Sequence, residues 1–146
     1  MRSNYPGYEM TLFDGNEEVK VTLRLPILAQ INLKKKYPKE ATDETGRASA
    51  MGVILAAMSN EEITVGIFDE ALNYKGNTNT IKSGADLYDL LVDNGYRGLE
   101  SFVPVIANLA YESGIISAKF KEAIEKQAQG VDAIYEEAEE GTAKNA

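Results

Sequence analysis

Between Tyr8 and Leu23 apolar and polar residues alternate: Tyr8, Met10 and Leu12 fall on one side, and past Asp14-Gly15 the alternation resumes with Val19, Val21 and Leu23. A period of two marks a strand with one buried face, and Asp-Gly between two such runs predicts a β-hairpin turning there. Two strands alone are marginal in water, so their apolar side must lie on helices or on another chain.

After the hairpin the period becomes helical. Pro26 suits a first helical position, whose N–H has no partner inside the helix, and Ile27, Leu28 and Ile31 follow as the expected buried side until Tyr37-Pro38 ends the run. Beyond a polar segment, residues 39–46, Met51, Ile54, Leu55 and Met58 mark one face of a second helix. Ser59 with Glu62 has the form of a capping box and opens a third, in which Ile63, Ile67, Phe68, Ala71 and Leu72 are apolar up to a stop near Asn73. Residues 74–80, with Gly76, Asn77 and Asn79, read as a connecting loop. Ser83 and Asp86 repeat the cap, Leu87, Leu90 and Leu91 supply a fourth buried side, and Asn94-Gly95 offers a left-handed stop.

Phe102, Val105, Ile106, Leu109 and Ala110 keep helical spacing, and Pro104 places the start of that fifth helix between Gly98 and Ser101, with Gly114 ending it. From Ser117 onward Phe120, Ile124, Gln127, Val131, Ile134 and Ala138 step by four and three, a heptad seam, with Gly130 weakening the backbone by roughly 1 kcal/mol relative to Ala. The fold expected is mostly α with a small N-terminal β-hairpin (α+β), a compact bundle of about five to six helices. Residues 1–7 read as a flexible N-terminus, 8–116 as the hairpin and helical core, and 117–146 as an acidic C-terminal helix and frayed tail.

Composition narrows the chemistry. Of 146 residues 15 are Lys or Arg and 23 are Asp or Glu, a formal charge of −8, and 44 % are hydrophobic, as in an ordinary single domain. Zero Cys and zero His exclude disulfides, thiolate nucleophiles, imidazole bases and zinc sites built on those ligands. The acidic balance opposes nucleic acid, whose affinity comes from neutralised phosphates. Lys34, Lys35, Lys36 and Lys39 read as a solvated helix end. No stretch approaches the roughly 20 apolar residues of a membrane span, and residues 1–8 lack the apolar core of a signal peptide, so a cytoplasmic protein is expected.

An enzyme lacking imidazole and thiol would lean on carboxylates. Glu17-Glu18, Glu61-Glu62 and Asp69-Glu70 are the available pairs, and each reads as solvated surface: beside a turn, in a helix first turn, and on the outside of the third helix. The run from Asp14 to Glu18 is too short for a calcium loop, and phosphate-loop and nucleophile-elbow motifs are absent. No catalytic residue, metal or cofactor is expected. What stands out is interaction surface: tyrosines at element edges, an open hairpin edge, and the apolar residues Tyr8, Met10 and Leu12 of the hairpin and Phe120, Ile124, Val131, Ile134 and Tyr135 of the last helix as partner-binding candidates.

The order of elements, with Val19-Lys20-Val21-Thr22-Leu23-Arg24-Leu25 running into Ile31-Asn32-Leu33-Lys34-Lys35-Lys36-Tyr37, and Leu87-Tyr88-Asp89-Leu90-Leu91-Val92-Asp93-Asn94-Gly95 preceding residues 102–116, resembles the tail assembly chaperones of long-tailed bacteriophages and prophages. The resemblance implies a non-enzymatic cytoplasmic protein that binds and solubilises the tape measure protein, helps recruit the tail tube protein and leaves before the virion matures. It also implies a homo-oligomer, a ring or spiral, for which the hairpin edge and final helix are the expected contacts. A structural virion component, of the tail or the head–tail connector, is the alternative. A carboxylate-dependent hydrolase using Glu61, Glu62, Asp69 and Glu70 is a third.

Overall fold

The computed structural model describes residues 7–128. Strands β1 (Tyr8–Phe13) and β2 (Glu18–Leu23) form an antiparallel hairpin pairing Tyr8 with Leu23 and Phe13 with Glu18. The turn takes four residues rather than a tight Asp-Gly pair. Asp14 receives the N–H groups of Asn16 and Glu17 on its carboxylate, and Gly15 adopts φ +100°. Five helices follow, α1 (Ile27–Lys36), α2 (Ala50–Ala57), α3 (Glu61–Leu72), α4 (Gly84–Asp93) and α5 (Val103–Glu112), the last entered through a 3-10 turn at Leu99–Phe102. A sixth, α6, occupies 118–128 as far as the chain is described. The architecture is thus mostly helical with a small N-terminal hairpin, as the change of period predicts.

Local chemistry sets most boundaries. Ser83 accepts the Asp86 N–H at the start of α4, and Ser117 accepts that of Phe120 at the start of α6. At α3 the cap is Asn60, not Ser59: its Oδ1 takes the N–H groups of Glu62 and Ile63, while Ser59 donates to the Ala56 carbonyl at the end of α2. Asn serves as an N-cap as well as Ser does, and the sharp α2–α3 junction puts Asn60 in the extended conformation a cap requires. Gly95 and Gly114, both at positive φ, end α4 and α5.

The core lies between the inner hairpin face and α3, α4 and α5. Leu23, Leu33, Ile54, Ile67, Phe68, Leu87, Leu91, Phe102, Ile106 and Leu109 are fully buried. Phe102 is the hub of an aromatic cluster: it stacks on Tyr88 at 4.4 Å and meets Tyr96 and Phe68 at 5.9 and 6.4 Å.

Two helices turn a different face inward from the one their apolar residues imply. In α1 the buried residues are Ala29 and Leu33, whereas Ile27 and Leu28 are 65 % and 70 % exposed. The entry to α1 decides this. Arg24 N–H is bonded to the Ala71 carbonyl, Leu25 N–H to Ser113 Oγ, and Gln30 Nε2 to the carbonyls of Leu25 and Ser113, so the helix begins already rotated. In α2 the inner residues are Ala50, Val53, Ile54 and Ala57, and Leu55 faces out at 41 % exposure. Small side chains point inward because α2 approaches its neighbours closely: a Cβ on Gly52 would strike the carbonyls of Glu40 and Thr42.

Candidate functional site

Each outer edge of the hairpin is closed at one residue by an asparagine from a distant loop. Asn79 takes the Thr22 N–H on Oδ1 at 2.8 Å and donates Nδ2 to the Thr22 carbonyl at 2.8 Å and to that of Leu72 at 3.0 Å. On the opposite edge Asn94 takes the Phe13 N–H and donates to its carbonyl, both at 2.9 Å, while bonding back to Leu90. A carboxamide carries one acceptor and two donors, so it can stand in for one peptide of a further strand. The ladder alternation then leaves the outward backbone groups of Glu9 and Thr11 on one edge, and of Glu18 and Lys20 on the other, for an added strand. Four residues in two short pairs are a small template for strand addition.

The hairpin's apolar face is covered by the chain's own helices. Met10 and Leu12, expected as partner contacts, are 7 % and 5 % exposed and belong to the core. This corrects the sequence reading, and the reason is that a period-two apolar face is the same whether a helix of the same chain or of another covers it. Tyr8 is half-buried beside Tyr96 and Glu125, and burial first, then electrostatic repulsion from those neighbours, raises its phenol pKa. Phe120 and Ile124 of α6 pack half-buried against the core. Val131, Ile134 and Tyr135 lie outside the described residues.

Most of the exposed apolar surface sits elsewhere, and of its residues the sequence marked Ile124 as a contact but not the others. One patch is the outer face of α1, Ile27, Leu28 and half-buried Ile31, beside a cleft of about 740 Å³ that runs past Pro26 and Gln30 to Tyr111 and Gly114. Along the same face the C-terminal half of α1 carries Lys34 and Lys35, followed by Lys36 and Lys39, and α1 contains no acidic residue. The second patch is a groove of about 520 Å³ in which Leu55 of α2, Met58 at its C-terminal end, Leu99, Val103, and Ile124 of α6 form the apolar wall. A singly exposed Leu or Ile is ordinary surface, whereas Ile27 and Leu28 adjoin each other beside a cleft, which makes that face a candidate contact surface.

The acidic pairs are dispersed. Glu17 and Glu18 flank the hairpin turn and Glu61 and Glu62 open α3, all exposed. Asp69 serves the fold, since its carboxylate receives the Gly84 N–H at the start of α4, while Asn73 bonds its main-chain carbonyl and that of Lys82. Among the described residues no three acidic side chains gather to hold a metal ion, and no helix is long and apolar enough to cross a membrane. Neither a family model, nor a curated protein, nor a solved structure matches the chain.

Proposed function

We propose that this chain is a non-enzymatic tail assembly chaperone of a long-tailed bacteriophage or prophage, which binds the tape measure protein and keeps its long apolar helices in solution. The observation that carries the reading is the groove between α2 and α6, where exposed Leu55 stands beside half-buried Met58, Leu99 and Ile124 and buried Val103 in a trough open along one side. An amphipathic client helix placing residues at i, i+3 and i+7 into such a trough buries apolar area at roughly 25 cal/mol per Å² without any bond being made. The net charge of −8 keeps the loaded complex soluble by repulsion between complexes. The layout of hairpin followed by helices is the one the resemblance implies. Recruitment of the tail tube protein, action in the host cytoplasm and departure before the virion matures belong to the same proposal.

The test is co-expression with helical fragments of a phage tape measure protein. The wild-type chain should bring the fragments into the soluble fraction, and Leu55→Asp should not, while remaining folded. Fragments as insoluble with the chain as without it sink the reading. The alternative, a structural virion component, is separated by mass spectrometry of purified particles: a chaperone is missing from them and a building block is abundant.

A further inference from the structure

The groove between α2 and α6 is apolar along its wall and charged at one point. Among the described residues that line it, Glu100 alone carries a charge, and no Lys or Arg does. Helix α2 has no ionisable side chain at all. Glu100 stands on the 3-10 turn between Leu99 and the buried Phe102, next to one apolar lining residue and three positions before another, Val103. Its carboxylate folds back over Gly98, in room that a Cβ there would take. Glu100 is exposed and makes no ion pair among the described residues. Arg97, three positions back, lies outside the groove lining. The uncharged Ser59 and Gln127 complete the polar rim.

A helix seated in the trough lays its flanks against that rim. A negative charge at the edge of an apolar surface selects between partners more than it holds them. A cation on the flank gains a neighbour there, and an anion meets like charge where water screens it less. The formal charge of −8 works in the same sense at longer range, drawing in basic segments. It disfavours the chain's own residues 129–146, which hold five carboxylates and a single lysine. We infer that the groove takes a basic amphipathic helix, one whose apolar stripe is flanked by Lys or Arg, and that Glu100 is the residue that reads the flank. This rests on the proposed client groove and narrows its client from any apolar helix to a cationic one.

Three labelled synthetic helices, titrated with the full chain and followed by fluorescence anisotropy, test it. They share leucines at i, i+3 and i+7 and differ only in the flanking positions, which are all Lys, all Gln or all Glu. The lysine helix binds most tightly and the glutamate helix least. Glu100→Gln weakens the lysine helix by about threefold, the size of one exposed pair, and leaves the glutamine helix as it was, which also shows that the variant is folded. Glu17→Gln, at the exposed hairpin turn, makes the same change in net charge far from the groove and moves the lysine helix much less. Leu55→Gln weakens all three helices alike. If the helices bind through Leu55 but lysine is not preferred, or Glu100→Gln does no more than Glu17→Gln, the charge selection is overturned while the groove stands. If no helix binds, or Leu55→Gln leaves binding intact, the groove is not the site and both fall. Self-association of the chain alone that Leu55→Gln abolishes gives the groove to a second copy and overturns the inference as well.

Discussion

The side chain of Asn79 pairs with the main chain of Thr22 from 57 residues away, accepting its N–H and donating to its carbonyl, as a single residue of a third strand would. The bond pins the loop after α3 to the hairpin and closes that part of the hairpin edge. Asn94 does the same for Phe13 on the other side, from the end of α4. Two loops with different structural duties therefore share one device.

Both side chains make three such bonds, but Asn79 is buried whereas Asn94 lies nearer the solvent. Asn79→Ala leaves the backbone groups of Thr22 and the Leu72 carbonyl without their partner and is expected to destabilise the fold by about 2–3 kcal/mol. Asn94→Ala, whose orphaned groups reach water, should cost about 1 kcal/mol or less. Urea unfolding monitored by circular dichroism gives both values, and equal losses would show that burial is not what separates the two.

Gly84 is demanded by packing. A Cβ there would strike the Val65 carbonyl of α3 and crowd Asp69, whose carboxylate caps α4 at Gly84 itself. Gly84→Ala is expected to lose about 1–3 kcal/mol by forcing α3 and α4 apart, even though Ala is the better helix former. Gly66 is the instructive contrast. The added methyl meets the ring of Tyr37, a side chain whose hydroxyl is held only by a 3.4 Å bond to the Glu62 carbonyl, so Gly66→Ala should cost less. Thermal melts of the two variants, compared side by side, decide it.

Alkali should weaken the fold through two tyrosines. Burial raises the phenol pKa of Tyr8 and of Tyr88, helped by Tyr96 and Glu125 at the first and by Glu61 at the second. A group whose folded pKa lies above its unfolded value contributes stability that is whole below the unfolded value, about pH 10, and is lost as pH rises through the folded one. Stability measured in urea from pH 8 to 11 should fall in the upper part of that range, and Tyr8→Phe should shallow the fall. At the other end, Asp14 and Asp43 are lowered by hydrogen bonds, Asp14 chiefly from the Glu17 N–H and Asp43 chiefly from the Thr45 hydroxyl. What they contribute is present above their ordinary carboxylate pKa and lost as pH falls through the lowered value.

On the proposed function, surface apolar residues can be changed without cost to the core. Leu55→Asp should change stability by about 0.5 kcal/mol or less, since the side chain is outside the core cluster, yet abolish solubilisation of the client. Ile54→Ala, one residue back and fully buried, should cost about 2–5 kcal/mol. Pairing a denaturation curve with the co-expression assay distinguishes loss of surface from loss of fold.

The kind and order of the elements were legible in the chain because period and punctuation are local. Tyr8 to Leu23 alternates and forms the hairpin, Ser83 caps α4, Gly95 and Gly114 end helices, and Ile63, Ile67, Phe68, Ala71 and Leu72 of α3 are buried as their spacing requires. The hydrogen bonds or side-chain contacts responsible lie within a few residues of one another, so the sequence alone determines them. Which face of α1 and α2 looks outward is another matter. Ile27 and Leu28 are as apolar as any core residue, and only the bonds from Arg24, Leu25 and Gln30 to residues of α3 and the α5 terminus rotate them into solvent. Asn79 reads as loop until Thr22 is brought beside it, and Met10 and Leu12 read as a sticky face until the chain's own helices cover them. Local geometry chooses the elements, because its interactions are made by neighbours in the chain. The surface left for partners is what remains after residues tens of positions apart have met, and that was decided only in three dimensions.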